Sequence, residues 1–369
     1  MYRYLPIAIA LLCMPFLCFG QDPTLKQLLA GKDDTSKVNR LQAYGQGLLD
    51  IDNQKAIPVY EATIDISKKL NYDYGLATAY RKIGYIKGQE GSYKEAISYY
   101  RNAIDYYDKG DHLRDILVCY NNIAANYRQF AKADSAIHYY LLAIKKFEAG
   151  SSEMKKEKAS VIKDMQSTYS LLHANISGLY GNMGNIAKAV EYGTKAISIA
   201  REINDTVRVV LSMISLSHAW YTNKEYEKSL ATSREAAQLA LLKDEPVPLA
   251  KAYHLLSVSY TASGKLDSAI YAAKLSMKHA RNSDQQLYIT SFLDLADAYH
   301  DKKEYKKEEA LLELGLEEFK KVDNIAFGRN IYGRLADLNY AQGKYKAAYD
   351  HFAKSMEYKD SILSQQNRD

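Results

Sequence analysis

Three histidines and two aspartates are the side chains of this sequence whose types and spacing invite chemistry. His218, His254 and His300 could ligate a metal or move protons near neutral pH, and Asp297 and Asp337 could share acid–base work. The histidines stand 36 and 46 residues apart and the aspartates 40. Ligands on one metal-binding helix or loop sit about two to five residues apart, so neither set is a local metal motif. No nucleophile or oxyanion donor accompanies them at a matching interval. The chain also lacks a phosphate-binding loop, Gly-x-Ser-x-Gly, His-Glu-x-x-His and Cys-x-x-Cys. Cys119, between Val118 and Tyr120, reads as a small apolar residue; a reactive thiol would need a neighbouring positive charge, and Arg114 is the nearest by sequence. The expectation is a protein that is not an enzyme, with no catalytic residue, metal or cofactor.

The interval of 40 points instead to the elements that carry these residues. Alanines recur at Ala56, Ala96, Ala136, Ala189, Ala269 and Ala348, with Ser229 and Glu308 filling the gaps, at spacings of 40, 40, 53, 40, 40, 39 and 40. Twelve residues before stand Gly84, Ala124, Ser177, Ser217, Ser257, Ala296 and Ala336, and seven after stand Ala103, Ala143, Ala196, Ala236, Ser276, Gly315 and Ser355. An aliphatic column, Ile83, Ile123, Ile176, Leu216, Leu256, Leu295 and Leu335, precedes the first of these. Two antiparallel helices approach to about 8–10 Å only where their facing side chains are small. The columns therefore predict about eight helix-turn-helix units. Gly91, Gly184, Gly264 and Gly343 follow the helix-A small position by seven residues, where glycine tolerates the left-handed backbone that ends a helix. Repeat one departs, with Tyr44 at the small position, and repeat seven departs with Glu308. An extra 13 residues fall near 148–164. Gly150-Ser151-Ser152 ends one helix there, and Lys155 to Lys163 reads as a helical extension serving as a hinge or a spacer.

Composition agrees with long helices. Hydrophobic residues make up 47% and charged residues 25%, with only six prolines. Tyrosine is abundant, 33 residues against eight Phe and one Trp, and suits half-buried positions where the ring packs and the hydroxyl stays wet. The net charge of +5 is spread along the chain without a basic block, which excludes nucleic acid as an expected partner. Residues 1–20 read as an export signal, with Arg3, an apolar run from Leu5 to Phe19, and Gly20 before the cleavage point; an uncleaved anchor is the alternative. No later stretch is long and apolar enough to span a membrane. The expected organisation is a signal at 1–20, a lead-in at 21–37, a solenoid over 38–364 and a tail at 365–369.

The repeat resembles the tetratricopeptide repeat. The second unit reads Tyr80, Ile83, Gly84, Ala96, Tyr100, Ala103, and the third Tyr120, Ile123, Ala124, Tyr127, Ala136, Tyr140, Ala143. The period here is 40 where the family has 34, and the family's proline between units is absent. The resemblance implies an all-α, right-handed superhelical solenoid whose helix A lines a concave groove. Groove positions carried over from it are Thr78, Arg81, Tyr85, Asn121, Arg128, His218, Tyr221, Lys251, His254, Asp297, His300, Asp337 and Tyr340. Some family members clamp a terminal carboxylate through five polar residues. Only Arg81 and Asn122 match here, Tyr85 replaces an Asn, and Leu171 and Asn175 replace two cations, so that clamp is not expected. The opening Leu25 to Leu41 is similar to exported tetratricopeptide regions of Bacteroidetes sensor proteins. The implied function is a periplasmic or envelope scaffold of a Gram-negative bacterium, binding a peptide or protein in the groove. The alternative is the sensing region of a signalling system whose output domain lies elsewhere. Self-association through an apolar edge on the last helix is a further expectation.

Overall fold

A computed structural model describes residues 22–49, 51–150, 158–322 and 325–366. The expected signal at 1–20 and part of the tail at 365–369 lie outside the described residues, as do 151–157 within the insert. Every regular element is an α-helix, and among the described residues there is no strand. The all-α repeat class read from the sequence is therefore the observed one.

Contacts divide the chain into two compact units, the first ending at Cys119 and the second beginning at Tyr120. The first contains α1 (Pro23–Leu29), α2 (Thr35–Leu49), α3 (Asn53–Lys69), α4 (Asp73–Gln89) and α5 (Tyr93–Asp108). Helix α6 (Leu113–Gln129) carries the boundary. The second unit continues with α7 (Ala133–Gly150), α8 (Ala159–Asn182), α9 (Ile186–Glu202), α10 (Thr206–Thr222), α11 (Tyr226–Leu242) and α12 (Pro246–Ala262). It closes with α13 (Leu266–Ala280), α14 (Gln285–Asp301), α15 (Tyr305–Val322), α16 (Ile325–Ala341) and α17 (Tyr345–Gln366). From α2 onward the even-numbered helices are the A helices of the repeats and the odd-numbered ones the B helices. Helix α2 already begins at Thr35, ahead of the expected 38. The insert extends α8 to 24 residues.

The small columns do what their size suggests. Ala96, Ala103, Ala124, Ala136, Ala143, Ala189, Ala196, Ala236, Ala269 and Ala296 are fully buried, and Ala336 and Ala348 are 7% exposed. A Cβ on Gly84 would lie 3.2 Å from the Ala96 carbonyl oxygen, so the A and B backbones nearly touch. Where the column holds serine, the hydroxyl fills the same gap and pairs across it. Ser177, Ser217 and Ser257 donate to the carbonyls of Ala189, Ser229 and Ala269 at 2.7, 2.9 and 3.0 Å. Ser170, Ser276 and Ser355 bond to the carbonyls of Ala196, Ala250 and Arg329 in the same manner. Serine is thus as good as alanine here, because its one donor meets a backbone acceptor instead of being buried alone.

The turns follow one rule. Gly91, Gly184, Gly264 and Gly343 have φ of 87°, 75°, 69° and 73°. Asn71, Asp111, Ala131, Asn204, Lys224, Asp244 and Lys303 take the same left-handed conformation at other turns. The next residue's N–H then reaches back into the helix, as from Asn185 to the Tyr180 carbonyl at 2.9 Å, closing the helix end. In repeat one the close approach falls to Gly45, not Tyr44: a Cβ on Gly45 would meet the Tyr60 ring at 2.8 Å. Tyr44 is half-buried against the cluster of Leu25, Val38 and Leu41 and donates to Asp22 at 2.8 Å, holding α1. Lys37, 1% exposed, spends its ammonium on the Leu29 and Gly31 carbonyls and Asp33, which fixes α1 by its C-terminal end.

Candidate functional site

In the second unit the A helices α8, α10, α12, α14 and α16 pack each on the next. This aligns residues separated by one repeat into rows. One row runs Ala125, Gly178, His218, Val258, Asp297, Asp337. Between α6, α8, α10 and α12 lies a cavity of about 280 Å³. Its polar lining is Arg128, Asn175, Asn182, Ser215, His218, Lys251 and His254, and its apolar lining includes Ala174, Leu179, Ile214 and Leu255. No carboxylate lines it.

The polar groups differ in how far they are already committed. Asn175 donates to Asn121 Oδ1 at 3.1 Å. His254 Nδ1 lies 2.6 Å from Asp294 Oδ2 on the next A helix. Lys251 is 3.9 Å from Asp284. Arg128, Asn182 and His218 have no hydrogen-bond or ion-pair partner among the described residues. Burial, and secondarily the neighbouring His254, hold the His218 pKa below the ordinary imidazole range, so its ring is neutral at neutral pH.

Beyond the cavity the charge changes sign. Asp297 lies on α14 and its carboxylate faces Arg334 of α16 at 2.6 Å. Burial pushes the Asp297 carboxyl up to about 6 despite that arginine, with Asp294 and Asp301 adding to the rise. Arg334 also lies 4.0 Å from exposed Asp337. The two aspartates read as equivalent in the sequence are therefore unlike: Asp337 is solvated and Asp297 is half-buried and paired. A second opening of about 340 Å³ lies beside this pair, lined by Leu293, Arg329, Asn330, Gly333, Arg334, Asp337 and Ser355.

His300 turns away from the other histidines and lies 3.0 Å from Glu308 of its own repeat. Glu308 is fully buried at the position where the other repeats have alanine or serine. Burial raises its pKa, and His300 opposes the rise. The unusual residue of repeat seven is accommodated by a partner eight residues earlier, a pairing the repeat columns do not reveal. No group of three or more His, Cys, Asp or Glu able to hold a metal occurs among the described residues.

The remaining positions read from the sequence divide between inside and outside. In the first unit Thr78 is 8% exposed and within 3.1 Å of the Tyr107 hydroxyl. Arg81 donates to that same hydroxyl at 3.1 Å and lies 3.7 Å from Asp115. These two tie their helix to its neighbours. Tyr85 is exposed. In the second unit Tyr221 packs at 5.9 Å on Tyr226, and exposed Tyr340 meets Tyr345 edge-on. The sequence reading missed Gly178, Asn182, Ser215, Asp294 and Arg334 as site residues. Gly178 was visible as the glycine in the row that contains His218 and Asp297. Arg334 and Asp294 had no local signal, since their partners are a repeat away.

A tetratricopeptide-repeat family model matches residues 75–149, and a second matches 172–203. With the helix pairs, the small columns and the turns above, the chain is a tetratricopeptide-repeat protein. No curated protein matches the chain. Among solved structures it is similar to a Rap protein complexed with Competence and Sporulation Factor, at 14% identity and a TM-score of 0.59, covering 93% of this chain and 90% of that one. It is similar to the apo form of the quorum sensor NprR from B. thuringiensis, at 14% identity and a TM-score of 0.56, covering 91% of each chain. A signal transduction ATPase from Pyrococcus horikoshii with a tetratricopeptide repeat sensor matches at 15% identity and a TM-score of 0.60; 94% of this chain is covered and 52% of that one. At these identities the likeness is one of fold.

Proposed function

We propose that this protein is an interaction scaffold that holds an extended segment of another protein against the A helices of its second unit. The observation that carries the reading is the open cavity whose Arg128, Asn182 and His218 are left without partners. Arg128 and Asn182 are exposed and His218 is half-buried, and polar groups left free at a concave surface are available to a ligand. The sign change toward Asp297 and Asp337 gives such a segment a direction. A fold-mate complexed with a named factor supports the reading by analogy. Two other fold-mates, a quorum sensor and a signal transduction ATPase with a tetratricopeptide repeat sensor, favour the second reading, a sensing region that reports occupancy to an output domain elsewhere. The residues at 1–20 carry the proposal that either role is played in the periplasm or envelope.

The last helix offers a second contact. Tyr349 and Phe352 are 71% and 55% exposed. Two repeats earlier the same register positions are Ile270 and Ala273, which pack with Leu295 and Tyr299 of the next A helix. We propose that a second copy of the chain covers this face, and sedimentation equilibrium should then show a dimer that Phe352→Glu dissociates.

A photo-crosslinking amino acid placed at Ser215 tests the groove. It should give discrete adducts in envelope extract, whereas the same group at exposed Glu235 on α11 should not. Equal labelling from both sites, or none from Ser215, would overturn the reading.

A further inference from the structure

Repeats three and four each seat a tyrosine of their B helix between two rings of their A helix. Tyr120 and Tyr127 stand four residues before and three after the small A position Ala124. Tyr139, three residues after Ala136, lies 6.2 Å from the first ring and 5.4 Å from the second. At the same three positions of repeat four, Tyr192 lies 5.5 Å from His173 and 5.8 Å from Tyr180. Residues seven apart rise about 10.5 Å along a helix, so rings on them leave room for one more at ordinary stacking distance. Repeat six keeps both walls and lacks the insert. Tyr253 and Tyr260 hold the A positions around Ser257, but the B position holds Ala272. An opening of about 350 Å³ lies there, lined by Tyr253, Tyr260 and Ala272 with buried Leu256, and with exposed Ser268 and Tyr271 at its rim. None of these residues lines the groove cavity that Lys251, His254 and Leu255 of the same helix border.

A second cover is missing from the same place. Lys188, Lys228 and Lys307, each one residue before the alanine column, lie over Tyr180, Trp220 and Tyr299 at 4.9, 4.6 and 5.8 Å. In repeat six that residue is Ser268, whose hydroxyl has no partner among the described residues. A cation nevertheless reaches Tyr260 already: the Arg234 guanidinium lies 5.7 Å from its ring and donates to its hydroxyl at 3.1 Å. The one acid of the lining, Asp267, is exposed and paired with Lys302 at 2.6 Å. The contact that repeat six lacks is therefore a ring, not a charge, and an unspent hydroxyl at the rim suits a ring that carries one. We propose that this slot binds a phenol ring from outside the chain, stacked between Tyr253 and Tyr260 as Tyr139 and Tyr192 are stacked in their own repeats. The ring is that of a small ligand or of a tyrosine side chain on a partner.

The probe is p-cresol, the tyrosine side chain without its backbone. Titrated into the full chain, it should shift the NMR resonances of α12 and α13. It should bind about two- to tenfold tighter than 4-methylcyclohexanol, the scale of one aromatic contact. N-acetyltyrosinamide binding as tightly as p-cresol assigns the ring to a peptide chain, and much weaker binding assigns it to a small ligand. Tyr260→Leu, which removes one wall, should abolish the preference for p-cresol over the saturated alcohol. Ala272→Tyr supplies the missing ring from within, so it should raise the urea midpoint and remove p-cresol binding. A lowered midpoint, or an Ala272→Tyr chain that does not fold, would show that the slot is not open and would overturn the proposal. So would p-cresol that does not bind, or that still binds Ala272→Tyr, or that binds no better than 4-methylcyclohexanol. Tetramethylammonium binding more tightly than p-cresol would mark a cation site and overturn it as well. None of these results bears on the groove reading, which uses other residues.

Discussion

Gly178 and Gly181 stand three residues apart on α8, and replacing each by alanine should move stability in opposite directions. At Gly178 the new methyl meets nothing within 4 Å, so only the backbone effect remains. Alanine is better than glycine in a helix interior by about 0.8–1.0 kcal/mol, and Gly178→Ala should gain about that much. In a cooperative unit of this size the gain raises Tm by about 2–4 °C. At Gly181 the methyl would sit 2.5 Å from the Ala219 Cβ and 2.7 Å from its Cα. A backbone atom cannot rotate aside, so α8 and α10 must separate. Overpacking of this kind costs about 1–3 kcal/mol, and subtracting the same helix gain leaves a net loss of up to about 2 kcal/mol. Ala219→Gly placed on Gly181→Ala should restore part of that loss, because the Cβ leaves and the Cα stays; the two sites touch, so the pair should be non-additive. Urea unfolding followed by far-UV circular dichroism measures the difference, and amide exchange in α8 and α10 locates it. A Gly181→Ala protein as stable as Gly178→Ala would refute the account of why each glycine is there.

Other consequences follow from burial. Ala136 is fully buried, so Ala136→Leu should cost about 1–3 kcal/mol by overpacking, read from the urea midpoint; an unchanged midpoint would contradict the helix contact. His173 is 6% exposed with neither ring nitrogen partnered, and burial pushes its pKa down from 6.5 to about 4. The unfolded chain takes up that proton first, so stability should fall as pH drops from about 6.5 toward 4, by up to about 3 kcal/mol. His173→Phe should flatten that slope, and the same slope in the variant would refute the assignment. Asp297 has the opposite sign: its folded value of about 6 exceeds the ordinary 3.8, so protonation between those limits favours the folded state, and Asp297→Asn should make the acid-side loss steeper. Cys119 is fully buried, its thiol pushed up to about 12 chiefly by burial. It should resist a maleimide at neutral pH until the chain is unfolded, and rapid native labelling would contradict its burial.

Much of the fold was legible because it is written in short, repeated intervals. A helix pair needs small residues where its backbones meet, and Ala96, Ala136 and Ala269 mark that place at a fixed offset from Gly84, Ala124 and Ser257. The turn needs one left-handed residue, and Gly91, Gly184 and Gly264 stand at it. Repeat one escaped the pattern because a side chain reports only its type: Tyr44 occupied the small position by count, whereas the close approach belongs to Gly45 and the Tyr44 hydroxyl is spent on Asp22.

The sequence by itself determined the helices, their pairing and the rows of residues that face the same way, since local propensity and periodic packing depend on neighbours a few residues apart. The tertiary structure alone decided which members of those rows are free. His254 is held by Asp294, Asp297 by Arg334 and Thr78 by Tyr107, each partner on another helix. Arg128, Asn182 and His218 are left open around a glycine that packing does not need. Whether a polar side chain is spent or available depends on what lies within about 3 Å of its end, and that distance is set by the stacking of helices about one repeat apart, not by the sequence around the residue.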